Sequence, residues 1–377
     1  YYILLIRTPL HMSIKSFETR ESLKEKLKNR NLLFEDKELE KVLITHNYFN
    51  YFNGLETIFL ESSSPKAYNK IKLQDFTNLY LFDKEIRSIL STCLDTVEEE
   101  LKSSISYHFC KLHCSKLADT MQYTNSEHYM DPANNTLGSP TYCRYSNIYP
   151  FKNYQNKKIY NEFSRFILFK PYFLTNLITN NDHINISFYR DSSYTAPPNV
   201  AIYRDDSGVN HTNIAVPFWV AIETLTFGEI LRLLHYLQDD IMEDVLKDFN
   251  LPLSKRNAFL NMIDFLLCLR NNCAHTTLVN RFRTKEIYHV NALLISSFSL
   301  CPKNSDSVLK LFDVIKILSY FTDVSAIKKP LRRLKIKMYL SLGIKRGKYT
   351  YNKVLARMGC DNYNEWKKIL SNIKYSL

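Results

Sequence analysis

The sequence predicts a mainly α-helical protein, and three observations support this fold class. Over residues 76–117, apolar side chains recur at steps of three or four, which places them on one helical face. Apolar stretches with helical spacing follow at 218–238, 259–269 and 308–321. The chain has only seven glycines, none of them clustered, which excludes the glycine-rich phosphate loops of nucleotide-binding α/β folds.

The first predicted part, residues 1–130, is helical, with helices expected over 16–30, 36–50 and 76–117. The apolar face of the long helix comprises Phe82, Ile86, Leu90, Cys93, Val97, Leu101 and Ile105. The opposite face carries Lys84, Arg87, Asp95, Glu98, Glu99 and Lys102. We expect that charged face to be solvated, as in an ordinary amphipathic helix.

The second part, residues 131–216, is predicted to be a loop-rich segment with short helices. Residues 131–217 hold seven of the twelve prolines, and Asp131-Pro132 and Gly138-Ser139-Pro140 are turn signals. A helix over 160–177 would be broken at Pro171.

The third part, residues 217–325, returns to apolar helices. Pro217 suits the first position of a helix over 218–238, and Ser254 can cap a helix that runs through Arg270 and beyond.

The fourth part, residues 326–377, is a basic C-terminal helical extension. Residues 328–357 contain eleven Lys or Arg, interleaved tyrosines and no acid. We expect RNA-binding residues there, and the alternative is a solvated helix pair. The predicted contacts are Lys328, Lys329, Arg332, Arg333, Lys335, Lys345, Arg346 and Lys348.

The net charge of +12 favours a polyanionic partner such as RNA, DNA or a membrane surface. The eight cysteines form no paired framework and suggest reduced thiols and a cytoplasmic location. The apolar start, residues 1–6, is too short to span a bilayer, so we expect no membrane association.

The strongest functional signal is Arg270-Asn271-Asn272-Cys273-Ala274-His275, at the end of an apolar helix. Histidine can exchange a proton near neutral pH, and arginine can hold a phosphate by two parallel hydrogen bonds. Such a pair can cut RNA without a metal or another cofactor. RNA cleavage needs a base, an acid and a cation, which one pair cannot easily supply. The motif therefore predicts a homodimer with a composite site, unless a second copy lies in the same chain, and the sequence contains no second copy that matches as well. The alternative is a helix-end pair that only stabilises carbonyl groups.

Three other features have competing interpretations. Glu223 lies in an apolar stretch and must find a partner, either an arginine of the site or a structural ion pair. Trp219 is expected in the core rather than as a base-stacking platform. His108, Cys110, His113 and Cys114 fall within seven residues, but they lack the distant second pair that a zinc site usually has, so we predict no metal site.

Several segments resemble, in order, the Abi-like (abortive infection) family of phage-defence proteins, of the Abi D/F type. They are residues 47–54 (NYFNYFNG), 82–87 (FDKEIR), 128–132 (HYMDP), 217–228 (PFWVAIETLTFG), 269–275 (LRNNCAH) with Asn280-Arg281, and 358–366 (MGCDNYNEW). The blocks at 217–228 and 269–275 are specific. The sequence departs from the family pattern at Asn50, where arginine is usual, and at Thr276, where a histidine or polar group is frequent.

That family carries the R-x4-6-H ribonuclease motif of the HEPN superfamily, so the resemblance implies a HEPN-type helical bundle and metal-independent RNA cleavage. His275 would then be the general base on the ribose 2′-OH, Arg270 the phosphate ligand, and Asn271 an orienting residue. Arg281 would be a second phosphate contact, and the products would carry a 2′,3′-cyclic phosphate and a 5′-OH.

Two alternatives stay open. One is a non-cleaving RNA-binding defence protein, in which the pair and the basic tail hold a cognate noncoding RNA. The other is an adaptor in which the pair is structural.

Overall fold

The computed structural model describes residues 17–131, 163–275, 277–284, 290–301 and 308–371. Within these ranges the chain is mainly helical with two small hairpin sheets, which confirms the predicted fold class. The α-helices are α1 Arg20–Asn29, α2 Asp36–Thr45, α3 Glu56–Phe59, α4 Leu73–His113, α5 Phe173–Thr179, α6 Phe218–Ala221, α7 Phe227–Tyr236, α8 Asp239–Asp248, α9 Arg256–Ala274, α10 Ala292–Ser297, α11 Leu311–Phe321, α12 Lys328–Leu342, α13 Ile344–Met358 and α14 Tyr363–Ile369. The antiparallel hairpins pair β1 Leu60–Ser63 with β2 Lys66–Tyr68, and β3 Tyr203–Arg204 with β4 Asn210–His211.

The chain divides into two compact units. Unit 1 comprises Tyr1–Leu81 and Ile336–Thr350, and unit 2 comprises Phe82–Lys335 and Tyr351–Leu377. The division is not consecutive along the chain, because residues 336–350 group with the N-terminal segment.

Unit 1 has an aromatic core. Phe52, Phe59 and Tyr68 pack around Phe76, with ring centroids 4.7 to 5.6 Å from its own. Glu56 is 5% exposed and accepts hydrogen bonds from Arg30 and Lys66. The buried carboxylate is therefore paired with cations, as a charge removed from water must be.

The part of the basic extension that belongs to unit 1 turns sharply at Gly343, whose φ of +78° favours glycine. A Cβ atom on Gly347 would lie 2.6 Å from the carbonyl oxygen of Met338. Helices α12 and α13 thus approach each other at a position that only glycine can occupy without a shift of the backbone.

Unit 2 includes most of α4, and the seven apolar residues predicted for its buried face are all buried. The expectation for the opposite face is wrong at one position. Lys102 is 7% exposed, and its ammonium pairs with Glu98 at 3.1 Å and donates to the carbonyl oxygen of Glu223 at 3.1 Å. A long side chain can lie along apolar surface when its charged end finds partners.

Residues 218–238 form two helices, where the apolar pattern suggested one. Helix α6 and a 3-10 turn, Ile222–Thr224, end at Leu225, and α7 begins after Thr226. The Thr226 hydroxyl accepts from the Glu229 amide, and the Glu229 carboxylate accepts from the Thr226 amide at 2.7 Å. This reciprocal capping starts a new helix at that point.

Helix α9 packs against α7 and α11 and carries the predicted site at its end. Ser254 lies in a 3-10 turn and does not cap α9, whose first flanking residue is Lys255. Arg256 instead fixes the start of the helix, since its guanidinium donates to the carbonyl oxygens of Leu234, His235 and Leu237. Those carbonyls belong to the end of α7, so one buried arginine joins the two helices.

The middle segment is loop-rich over 163–216, as predicted. The helix expected over 160–177 is absent before Pro171 within the described residues 163–170, which form two 3-10 turns separated by the extended Phe166. Helix α5 follows the proline. The turns predicted at Pro132 and Gly138-Ser139-Pro140, the apolar start at 1–6, and Thr276 lie outside the described residues.

Candidate functional site

The end of α9 presents the three residues of the predicted site. Arg270 is half-buried, and Asn271 and His275 are exposed. The His275 amide donates to the Asn271 carbonyl oxygen at 3.1 Å, which closes the last turn of the helix. Asn271 and His275, four positions apart, therefore share a face that solvent can reach.

The inner face of this last turn is anchored to α4. Cys273 is 6% exposed, and Ser91 and Arg87 of α4 lie close enough to its thiol to affect its pKa. Burial raises the pKa of the Cys273 thiol to about 12, and Ser91 and Arg87 oppose this only in part. The thiol is therefore neutral near pH 7, which excludes it as a nucleophilic thiolate.

A buried carboxylate holds the turn that follows the site. Asp83 of α4 is 2% exposed and accepts hydrogen bonds from the backbone amides of Val279 and Asn280, at 3.1 and 2.8 Å, and from the Asn280 side chain at 2.7 Å. Burial raises the pKa of Asp83 to about 6, although these hydrogen bonds and Arg87 favour the charged form. Asp83 lies in the family-like segment 82–87, but nothing in the sequence indicates which groups it bonds.

Arg281 is the last residue of this turn and is exposed, as a phosphate contact must be. Arg357 of α13 donates from Nη1 to the Asn280 Oδ1 at 3.2 Å. Desolvation, and then the charge of Arg281, lower the pKa of Arg357 to about 10. Two guanidinium groups are thus close enough to repel each other beside the turn. Nothing distinguished Arg357 from its basic neighbours in the sequence.

The predicted RNA-binding cations are divided between the units. Lys328, Lys329, Arg332, Arg333 and Lys335 belong to unit 2, and Lys345, Arg346 and Lys348 belong to unit 1. Arg333 pairs with Glu85 at 2.8 Å, and the Lys335 ammonium lies 4.9 Å from the centre of the Tyr363 ring. Lys328, Lys329, Arg332, Lys345 and Lys348 are exposed.

Two expectations for residues 217–228 need correction. Trp219 is 58% exposed and does not belong to the core, because α6 is a single turn that ends before α7 begins. The Glu223 side chain is also 58% exposed, and the cation it meets is Lys102, 3.8 Å away. The exposed Glu223 carboxylate thus faces a buried lysine, which is neither an arginine of the site nor the fully buried structural ion pair of the other interpretation.

The histidines and cysteines at the end of α4 have contacts within the protein. The His108 Nε2 is 2.9 Å from the Asp248 carboxylate, and the His113 ring stacks on His128 with centroids 4.2 Å apart. Across the described ranges, no group of three or more His, Cys, Asp or Glu residues could hold a metal ion. Likewise, none of the described helices has the length and apolar character needed to span a membrane.

Comparison with known proteins gives one family. The family model described as Abi-like protein matches residues 41–279. This region contains α4, both corrected residues at 217–228 and the complete Arg270 to His275 motif. No curated protein and no solved structure matches the chain.

Proposed function

Because the chain belongs to the Abi-like protein family, we propose that it is an abortive-infection protein that acts against phage by cleaving RNA without a metal ion. Family membership implies the defence role. The ribonuclease activity is our inference from the end of α9, and the observation that carries it is the presentation of Arg270, Asn271 and His275 on one solvent-accessible helix end.

The chemistry of these side chains fits the transesterification step of RNA cleavage. The His275 imidazole takes the proton of the ribose 2′-OH, and the 2′ oxygen then attacks the adjacent phosphorus. Arg270 binds the nonbridging oxygens and stabilises the charge that develops on them. Asn271 orients the substrate or His275. The 5′ oxygen leaves, which produces a 2′,3′-cyclic phosphate and a 5′-OH end.

The leaving oxygen requires a proton, and one Arg270/His275 pair does not readily provide the base, the acid and the cation together. A homodimer solves this problem, since a second copy of α9 across a two-fold axis contributes a second histidine and arginine. We therefore propose a composite site between two copies of the chain.

RNA is the proposed substrate because exposed cations occur next to the pair and in the basic extension. Arg281 is exposed a few residues beyond His275, and Lys328, Lys329 and Arg332 add positive charge in the same unit. Phosphate contacts of this kind give affinity without sequence preference. They also support the second candidate, a protein that holds a cognate noncoding RNA without cutting it.

A cleavage assay in EDTA with total RNA and a structured RNA tests the proposal. Wild type should cut and leave cyclic-phosphate ends, whereas Arg270→Ala and His275→Ala should each lose at least about a hundredfold in rate. A substrate with a 2′-deoxy residue at the cleaved position should resist. The matched control is His211→Ala, which removes a histidine bonded to Asp205 at 2.7 Å in the β3–β4 hairpin.

The outcomes separate the candidates. Equal cleavage by wild type and both site variants overturns the catalytic assignment. If wild type does not cleave but binds RNA as tightly as both variants, the RNA-binding function replaces the nuclease.

A further inference from the structure

We propose that Asp83, Asn280 and Arg357 are positioning residues, which hold Arg281 where it can bind an RNA phosphate next to the Arg270/His275 pair. This inference rests on the proposed function, because it assigns RNA as the ligand of Arg281. The three positioning residues lie on different segments: Asp83 on α4, Asn280 on the turn after α9, and Arg357 on α13.

The turn Val279–Arg281 covers the Asp83 carboxylate and is hydrogen-bonded to it. Asp83 and Asn280 are 2% and 1% exposed, and three N–H groups of the turn donate to the two oxygens of Asp83. Two of these donors are backbone amides, so the path of the chain itself is fixed. Loss of such a bond leaves a buried polar group without its partner, which strongly disfavours other positions of the turn.

The same hydrogen bonds determine which way the Asn280 amide faces. Its nitrogen donates to Asp83, so its oxygen is available to accept from the Arg357 Nη1 at 3.2 Å. The amide therefore connects α4 with α13 through a single buried side chain. Arg281 is the next residue along the chain and is exposed, so fixing Asn280 also fixes the backbone from which the Arg281 side chain reaches solvent.

Helix α4 also lies beside the end of α9, so one helix is close to the chain both before and after His275. Asp83, Arg87 and Ser91 are spaced four apart and share one helical face. Asp83 bonds the Val279–Arg281 turn, while Ser91 and Arg87 lie near the buried Cys273 thiol in the last turn of α9. Side chains of one helix thus lie against the chain before His275 and bond it after His275.

The charges at this position suit a phosphodiester. The charge of Arg281 lowers the pKa of Arg357, and the smaller opposing effect of Asp83 raises it. An anion bound by Arg281 would reduce this repulsion. A phosphate contact held in this way contributes a fixed amount to the salt dependence of binding.

Binding of a structured RNA by the full chain tests the proposal, with His275→Ala as the background so that the RNA stays intact. We would measure the dissociation constant at several salt concentrations for Asn280→Ala, Arg281→Ala and the double variant. Asn280→Ala keeps both backbone hydrogen bonds to Asp83, so it is less disruptive than a change at Asp83. The control is Ser104→Ala, which removes a 2.6 Å hydrogen bond to Asp248 elsewhere in unit 2.

We expect Arg281→Ala to weaken binding about tenfold and to lower the salt slope by about 0.7 to 0.9, the range for one phosphate contact on a single strand or a duplex. Asn280→Ala should produce the same two changes, and the double variant should bind no more weakly than either single one. Ser104→Ala should change the thermal midpoint without changing the salt slope.

Two results would overturn the proposal: an Asn280→Ala protein with the wild-type salt slope, or a double variant whose losses multiply as independent sites do. Because this is a binding measurement, its failure differs from failure of the nuclease. The nuclease proposal fails when unmodified protein leaves RNA uncut, whatever the variants at Asn280 do.

Discussion

Asp83 accepts hydrogen bonds from both the backbone and the side-chain nitrogen of Asn280, which lies 197 residues further along the chain. The bonds measure 2.8 and 2.7 Å, and both residues are almost completely buried. This contact joins the long helix α4 to the segment just beyond His275. The position of the candidate site therefore depends on an early part of the sequence.

The first prediction concerns the pH dependence of stability. Burial raises the pKa of Asp83 to about 6, from an ordinary value of 3.8 that the unfolded chain keeps. Between these values the folded protein binds more protons than the unfolded chain, so the Asp83 contribution to the free energy of unfolding falls as pH rises from 4 to 6. We expect a decrease on the order of 2 kcal/mol.

Urea unfolding of wild type and Asp83→Asn at several pH values measures this contribution, because asparagine does not titrate. The wild-type value minus the variant value should decrease between pH 4 and pH 6 and stay constant above pH 7. A difference that increases with pH would show that the carboxylate is stabilised in its charged form instead.

The second prediction contrasts the two tryptophans. Trp366 is 1% exposed, packs on Phe312 and donates its indole N–H to the Cys360 carbonyl oxygen at 2.8 Å, whereas Trp219 is 58% exposed. Trp366→Ala should lower the free energy of unfolding by about 3 to 5 kcal/mol, and Trp219→Ala by no more than about 0.5 kcal/mol. Denaturant unfolding followed by circular dichroism compares them, and a large loss at Trp219 would mean that another surface covers it.

The third prediction compares how much Lys102 and Glu223, the two partners of an ion pair, each contribute to stability. Lys102 is 7% exposed and bonds both Glu98 and the backbone of Glu223, so Lys102→Ala should cost about 1 to 3 kcal/mol. The exposed Glu223 carboxylate should contribute less than about 0.5 kcal/mol, and Glu223→Gln should leave RNA cleavage unchanged. Thermal unfolding and the cleavage assay check both statements. If Glu223→Gln lost cleavage while keeping normal stability, Glu223 would be a functional residue of the site.

The fourth prediction assigns RNA contacts to each unit. Replacement of Lys328, Lys329 and Arg332 by glutamine, or of Lys345, Arg346 and Lys348, should each reduce the salt slope of RNA binding by up to about 2. The control replaces Lys111, Lys247 and Lys368, whose side chains are 60 to 64% exposed and lie outside the acid-free basic run of residues 328–357. A group whose replacement leaves the slope at the control value does not contact RNA.

The sequence predicted the helices whose apolar faces repeat over many turns. Helix α4 was predictable because seven apolar residues recur at steps of three or four, a spacing that fits a helix and not the alternation of a strand. The two errors at Trp219 and Glu223 have one cause, the assumption of a single helix over 218–238. The capping pair Thr226 and Glu229 was visible in the sequence, and its recognition would have divided that segment.

The Arg270/His275 motif was also found from sequence, because its residues are close together along the chain. The Asp83 contacts could not be found in this way. They join residues that are distant in sequence. Which N–H groups a buried carboxylate bonds is decided only when the helices pack together. The contact of Arg357 with Asn280 could not be predicted from sequence either, because nothing nearby in the sequence distinguishes this arginine from the many other cations.

The three hydrogen bonds to Asp83 bear on where a shortened version of this protein can end. The family match stops at residue 279, between the two residues whose amides bond this carboxylate. A fragment cut at that boundary would keep one donor of three and lose Arg281, while the carboxylate stayed buried in α4. Fragments intended for crystallisation or for binding assays should therefore extend at least through Met358, at the end of α13, so that Arg357 is retained.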